Sequence, residues 1–265
     1  MVTAIRIIWL LALGLALGPS AHAQDDEFPG RALFIGVNPI EVEELYANLG
    51  DVHVVDVRSK YEYETLHIKG AHHVALYDSD FVDQLRALQR EEDKPLIFYC
   101  NGRKCYKSYK ADEKARNAGL KDTRVFDPGI FEWAEAHPEA AVLLGESPVP
   151  PGSLISSNSL ESHMLAPTEF IERVEDQSLV LDIRGPLQRG LVGVFILDTN
   201  ISMDDKAKLL EFIGRVKKAK KPLFVYDMTG KQVRWFQYFL EQQKVPEYYF
   251  MKGGMKAYFE EVIRG

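Results

Sequence analysis

Cysteine is nearly absent from this 265-residue chain: there are two, Cys100 and Cys105, and both fall in one short stretch. That scarcity excludes a structural disulfide framework, which joins residues distant in sequence and so constrains long loops of the unfolded chain. It argues equally against a zinc centre, since two thiols with no histidine nearby supply too few ligands, and the sequence calls for no metal and no cofactor. An excess of basic charge is missing too. The formal net charge is −7, with charges of both signs scattered, which leaves no electrostatic case for nucleic acid as a partner. Past the first residues, no apolar run approaches the roughly 20 residues that span a bilayer.

The beginning of the chain reads as an export signal. Arg6 supplies a positive flank, Ile7 to Gly18 form an apolar stretch of twelve residues, and Ala21-His22-Ala23 is a small-x-small cleavage site. Residues 1–23 are therefore expected to be a signal peptide removed near Ala23. The product is expected to be exported, to the periplasm, with no stable membrane insertion after cleavage. Arg6 is the one charged residue of that segment, so its removal moves the net charge from −7 to −8.

What is present is concentrated around Cys100. The cysteine ends an apolar run, Pro95-Leu-Ile-Phe-Tyr-Cys100, and opens the loop Cys100-Asn-Gly-Arg-Lys-Cys-Tyr-Lys-Ser108. Between Cys100 and Lys110 stand four bases (Arg103, Lys104, Lys107 and Lys110) and no acid. A thiol at a strand-to-helix turn, among cations and with backbone N–H groups directed at it, is biased toward the reactive thiolate. The same surroundings attract an anion.

Short apolar runs alternate with helical patterns through residues 31–145. Ala32–Gly36 reads as a strand and Asn38-Pro39 as the start of a helix reaching about Leu49. Val52–Val57 and Leu96–Tyr99 read as strands separated by a helix around Asp80–Gln89. A helix from about Cys105 to Ala118, stopped at Gly119, precedes a strand at Thr123–Phe126 and a short helix near Ile130–Ala136. Alternation of this kind predicts an α/β fold, a mainly parallel sheet with helices on both faces. Residues 142–165, rich in Pro, Gly and Ser, read as a linker.

The same order then returns over 166–265. Asp182-Ile-Arg184 matches Asp56-Val-Arg58, and Pro222-Leu-Phe-Val-Tyr226 matches Pro95-Leu-Ile-Phe-Tyr99. Asp56 to Cys100 is a step of 44 residues, and Asp182 to Asp227 a step of 45. Agreement at successive landmarks predicts an internal duplication, with domains at 24–141 and 166–265. In the second copy Asp227 stands where Cys100 does in the first. A carboxylate is no sulfur nucleophile, so that copy is expected to be inert in thiol chemistry.

The stretch Asp56-Val-Arg58…Tyr61-Glu-Tyr63…His67-Ile-Lys-Gly-Ala71, the strand-Cys100-loop-helix, and Pro128-Gly-Ile-Phe-Glu-Trp133 together resemble the rhodanese (sulfurtransferase) family, in a tandem arrangement with a degenerate second copy. The resemblance implies two rhodanese-like domains and transfer of sulfane sulfur from a small anionic, thiosulfate-like donor. The sulfur would pass through a Cys100 persulfide to a thiophilic acceptor. It assigns structural support to Asp56 and Arg58, with Arg58 pairing with Glu62, while clustering beside the thiol makes Arg103 and Lys104, with the loop residues Asn101 and Gly102, the expected substrate-binding residues. Family loops often read Cys-x-x-Gly-x-Arg. Here Gly102 comes one position early, and Cys105 stands where a base is common.

Cys105 keeps three readings: a resolving thiol, a permanent disulfide partner, or a small apolar residue at a helix start. Two further functions follow from them. One is a thiol–disulfide or persulfide relay that uses both cysteines and a protein partner. The other is a non-enzymatic module that binds an anion or peptide. Ser108, Ala111, Ala115 and Ala118 form a small-residue stripe that predicts close packing of their helix on the sheet.

Overall fold

The structure, a computed structural model, describes residues 27–174, 179–185, 188 and 198–264. The expected signal peptide at 1–23 lies outside them. Among the described residues, no helix is long and apolar enough to cross a membrane.

In chain order the first half contains α1 (Pro29–Leu33), α2 (Val42–Ala47), β1 (His53–Asp56), α3 (Lys60–Thr65), β2 (Leu66–Ile68), β3 (His72–His73), α4 (Phe81–Glu91), β4 (Leu96–Tyr99), α5 (Lys107–Asn117), β5 (Thr123–Phe126), α6 (Gly129–Ala136) and β6 (Ala141–Leu143). Its main sheet has the order β3-β1-β4-β5, all parallel. Strands β1 and β4 are buried at every position, as expected of parallel strands covered on both faces. The two-residue period of β4 sorts its side chains. Ile97 and Tyr99 enter one core cluster, while Leu96, Phe98 and then Cys100 enter the other, beneath α5. That helix presents buried Ser108, Ala111 and Ala115, so the small-residue stripe lets its N-terminus come down over Cys100.

The expected strand at Ala32–Gly36 is instead α1 and the bend after it. Asn38–Ile40 already occupies the edge of β5: Ile40 N donates to Val125 O and Val125 N to Asn38 O, each at 3.0 Å. The β5 edge is thus already taken by residues 38–40, and Pro29 at the first turn favours a helix. The same edge pairing delays the start of α2 to Val42.

The second half contains α7 (Ser157–Glu161), β7 (Met164–Leu165), α8 (Pro167–Arg173), β8 (Leu179–Asp182), β9 (Thr199–Asn200), α9 (Lys206–Ala219), β10 (Leu223–Tyr226), α10 (Val233–Gln242), β11 (Tyr248–Met251) and α11 (Gly254–Tyr258). Its parallel sheet has the order β7-β11-β10-β8-β9. The register repeats that of the first sheet: Asp56 lies opposite Tyr99, and Asp182 opposite Tyr226. Two α/β units with parallel sheets are thus present.

Residues 142–165 are not a free linker. Ala141–Leu143 pairs antiparallel with Leu66–Ile68, and Met164–Leu165 joins the second sheet. Ile155 N donates to the Tyr238 hydroxyl at 3.0 Å. The turn-forming residues mark direction changes rather than looseness. The halves also share a core cluster, across which the Phe131 and Trp235 rings stack at 5.1 Å. The guanidinium of Arg234 lies 3.6 Å over Phe131.

Candidate functional site

Cys100 follows the last residue of β4 and is 1 % exposed. It is joined to Cys105 in a disulfide, with Cα atoms 6.3 Å apart. The bond fits both a resolving thiol and a permanent partner for Cys105, and neither sulfur is a thiolate here. Two polar atoms approach the Cys100 sulfur: the Ser108 Oγ at 3.6 Å and the Cys105 carbonyl oxygen at 3.2 Å. The expected backbone N–H groups do not reach it among the described hydrogen bonds. The Cys105 N–H is instead committed to Gly102 O at 2.8 Å, closing a turn inside the loop.

The loop is held from behind by a polar network on its β1–α3 side. Arg58 and Asp56 form a buried pair: Arg58 Nε donates to Asp56 Oδ1 at 2.8 Å, Nη2 to Oδ2 at 2.5 Å, and the Arg58 N–H to Oδ1 at 3.0 Å. Nη2 also donates to Leu66 O at 2.6 Å, and Nη1 to Asn101 Oδ1 at 3.2 Å. Burial opposes the Arg58 charge, but Asp56 outweighs it and holds the guanidinium above its usual range. The Trp235 ring of the second half lies 5.0 Å from the Arg58 guanidinium carbon.

Asn101 connects this pair to Glu62, donating from Nδ2 to Glu62 Oε1 at 2.8 Å. Arg58 therefore pairs with Asp56, and the predicted Arg58–Glu62 pair is replaced by a bridge through Asn101. Both ends of the Asn101 amide are in use, so its side chain braces the loop. Glu62 also forms a capping box with Ser59, whose N–H donates to Glu62 Oε2 at 3.0 Å. Lys107 donates to the same oxygen at 3.3 Å.

Burial pushes the Glu62 carboxyl up, but Lys107, Arg58, Asn101 and Ser59 together hold it at about 2, well below the usual carboxylate range. A depressed folded-state value means stability that is complete above the unfolded-state range and lost as pH falls toward 2. The unfolding free energies of wild type and Glu62→Gln are expected to differ by on the order of 3 kcal/mol at neutral pH. That gap should hold from pH 7 to 5 and narrow steadily below about pH 4.5. A gap that stays constant down to pH 3 would show that Glu62 is held by shape alone.

Arg103 is turned away from the sulfur. Its Nε donates to Glu132 Oε1 at 2.5 Å and Nη2 to Oε2 at 2.7 Å, and Glu27 pairs with Nη1. The expected substrate arginine is thus neutralised by α6 and by the segment before α1. Lys104 is exposed and has no side-chain partner among the described residues. Gly129 serves close approach, since a Cβ there, where φ is +74°, would fall 2.4 Å from the Gly102 N; a Cβ on Gly102, at φ +148°, would lie 3.2 Å from Pro128 O.

In the second half the corresponding loop does what was expected of the first. The Asp227 carboxylate accepts backbone N–H groups from Thr229 at 2.9 Å, Gln232 at 2.5 Å, Val233 at 3.3 Å and, closest of all, Gly230. Arg184 and Asp182 repeat the buried pair, with Nε to Oδ1 at 2.9 Å and Nη2 to Oδ2 at 2.8 Å.

Sequence reasoning placed Cys100, Cys105, Asp56 and Arg58 in one site. It missed the part played by Glu62, Glu132 and Ser108. The Ser59-x-x-Glu62 spacing was a readable sign for Glu62. Nothing local signalled Glu132, which lies 29 residues from Arg103. Among the described residues, no group of three or more His, Cys, Asp or Glu side chains is placed to hold a metal ion.

Residues 41–136 match the family described as Rhodanese-like domain. Over 84 residues the chain is 34 % identical to the HTH-type transcriptional regulator Rv0324 of Mycobacterium tuberculosis, covering 32 % of this chain and 35 % of that protein. The chain thus spans about a third of the length of the regulator it matches. Among solved structures, it is similar to a thiosulfate sulfurtransferase of Pseudomonas aeruginosa at 19 % identity and a TM-score of 0.37, over 85 % of this chain and 42 % of that one. It is also similar to a human single-domain sulfurtransferase at 26 % identity and a TM-score of 0.31, over 38 % and 97 % of the two chains. Residues 41–136 are a rhodanese-like domain.

Proposed function

We propose that this rhodanese-like domain is the catalytic unit of an exported sulfurtransferase, and that its Cys100–Cys105 disulfide must be opened before it can act. The observation that carries the reading is the position of Cys100. It ends a central parallel strand under the N-terminus of α5, in a loop held by the Asp56–Arg58–Asn101–Glu62 network. Released as a thiolate, Cys100 attacks the outer sulfur of a thiosulfate-like donor. The donor's sulfur–sulfur bond breaks, sulfite leaves with the electron pair, and Cys100 keeps the outer sulfur as a persulfide. An acceptor thiolate then takes that sulfur and returns Cys100 to the thiolate.

The Ser108 hydroxyl, 3.6 Å from the Cys100 sulfur, is the side-chain donor placed to stabilise either anion. Lys104, exposed and unpaired among the described residues, remains the loop cation available to a donor. In this reading residues 1–23 are the signal peptide, and periplasmic export follows from it. Residues 24–141 form the catalytic domain. The unit at 166–265 is a degenerate rhodanese-like copy whose Asp227 replaces the nucleophile.

The disulfide favours a second reading, a thiol–disulfide or persulfide relay that passes electrons or sulfur to a protein partner. One set of variants tests both. After reduction, Cys100→Ser is expected to lose thiosulfate:acceptor activity by roughly a thousandfold or more, the scale set by losing a nucleophile. Cys105→Ser should stay active and no longer need reductant. Donor treatment should add the mass of one sulfur atom to Cys105→Ser and none to Cys100→Ser. Wild-type turnover by Cys100→Ser would end the sulfurtransferase reading. Loss of activity in both variants would favour the relay.

A further inference from the structure

We infer that Cys105, and not Cys100, is the sulfur at which an external thiol opens the disulfide, and that the reductant this site fits carries negative charge beside its thiol. The step precedes sulfur transfer and stands whether or not transfer occurs.

Thiol–disulfide exchange is a displacement in line with the sulfur–sulfur bond, so the attacked sulfur must be reachable from the side opposite its partner. The two residues differ in exposure. Cys100 is 1 % exposed and embedded with Val55, Val57, Phe98 and Ala111. Cys105 is only partly buried and lies between exposed Lys104 and exposed Tyr106. They differ also as leaving groups. The Ser108 hydroxyl stands at the Cys100 sulfur, ready to donate to a thiolate formed there. Access selects Cys105 as the electrophile, and this donor selects Cys100 as the sulfur that leaves.

Charge around the entry point is one-sided. Arg103 is neutralised by Glu132 and Glu27, and Lys107 by Glu62. Lys104 and Lys110 are exposed and have no side-chain partner among the described residues. An incoming anionic thiol therefore meets uncompensated positive charge at Cys105, on a protein whose net charge is −7.

The balance is simple. The thiolate RS⁻ forms a bond to the Cys105 sulfur, the bond between the two cysteines breaks, and its electron pair stays on Cys100. A second thiolate then attacks the RS sulfur, releases RSSR, and leaves Cys105 as a thiolate. Two thiols are oxidised and one disulfide is reduced. The proton each thiol gave up on ionising remains available to the two released cysteines. After the first displacement Cys100 is already free, while Cys105 is still masked.

The experiment uses the oxidised full chain exposed briefly to glutathione, then quenched with acid and iodoacetamide. Trypsin cleaves after Arg103 and Lys104, so the two cysteines fall in separate peptides. Glutathione is expected on Cys105 and the alkyl group on Cys100, by about tenfold over the reverse pattern. Glutathione on Cys100 in equal or greater amount would overturn the assignment. For the charge preference, opening rates with 2-mercaptoethanesulfonate and 2-mercaptoethylamine are compared at equal thiolate concentration and low salt. The sulfonate should be faster, and Lys104→Glu/Lys110→Glu should lower the ratio about threefold or more. A ratio unmoved by that double variant would remove the anionic reductant and leave the choice of sulfur standing.

Discussion

Asp56→Ala is expected to cost about 3–5 kcal/mol of folding stability, the scale for breaking a buried ion pair by removing one partner. Arg58 is fully buried and cannot be rehydrated in place. Without Asp56, its Nε, one Nη2 bond and a backbone N–H lose their acceptor together. What remains is a cation with only Leu66 O and Asn101 Oδ1 as acceptors, against an aromatic ring. Typical domains are stable by about 5–15 kcal/mol, so this one side chain governs a large fraction of the total. Urea unfolding monitored by tryptophan fluorescence reads the effect. Asp56→Ala/Arg58→Met should recover part of the loss, because it removes the stranded charge with the carboxylate. A single variant within 1 kcal/mol of wild type would show that water reaches Arg58, and the network could not then be what fixes the Cys100 loop.

The same pair shows how far the sequence could be read. Asp-x-Arg was legible as structural support through the resemblance to the rhodanese family, and its pairing follows because charged residues are seldom buried unless they are paired. Leu96–Tyr99 and Thr123–Phe126 were legible to the residue as short runs rich in strand formers, the first buried at every position and the second at all but Arg124. Gly119, with φ of +82°, ends its helix where the glycine predicted. Residues 32–36 failed for a non-local reason: their apolar pattern suits a strand, but the β5 edge they would need is taken by residues 38–40. The pairings at the two ends of residues 142–165 were hidden similarly, as those strands become visible only through partners at Leu66–Ile68 and in β11. In the site, residue types put Cys100 at the end of its strand, while the orientation of Arg103 depended on Glu132 and Glu27. Composition saw four bases and no acids in the loop. It did not see that acids from other elements come to meet two of them.

Asp227→Ala is expected to cost about 3 kcal/mol, because four backbone N–H groups lose one acceptor at once in a site that is 0 % exposed. Burial raises this carboxyl above the usual carboxylate range, and the N–H groups of Gly230, Gln232, Thr229 and Val233 offset only part of that rise. Asp227→Asn should fall between wild type and alanine. Its single oxygen serves one pair of donors, and its NH2 meets the other pair donor to donor. Formate should raise the urea midpoint of Asp227→Ala more than that of wild type, since it can re-enter the vacated place. Equal shifts would mean that the four N–H groups are not an anion site vacated by the side chain. The comparison bears on the first half as well. Both loops share one frame: Ile130 N donates to Cys100 O at 3.0 Å, as Met255 N does to Asp227 O at 2.9 Å. Inside it, one loop closes on its own carboxylate and the other on its own disulfide.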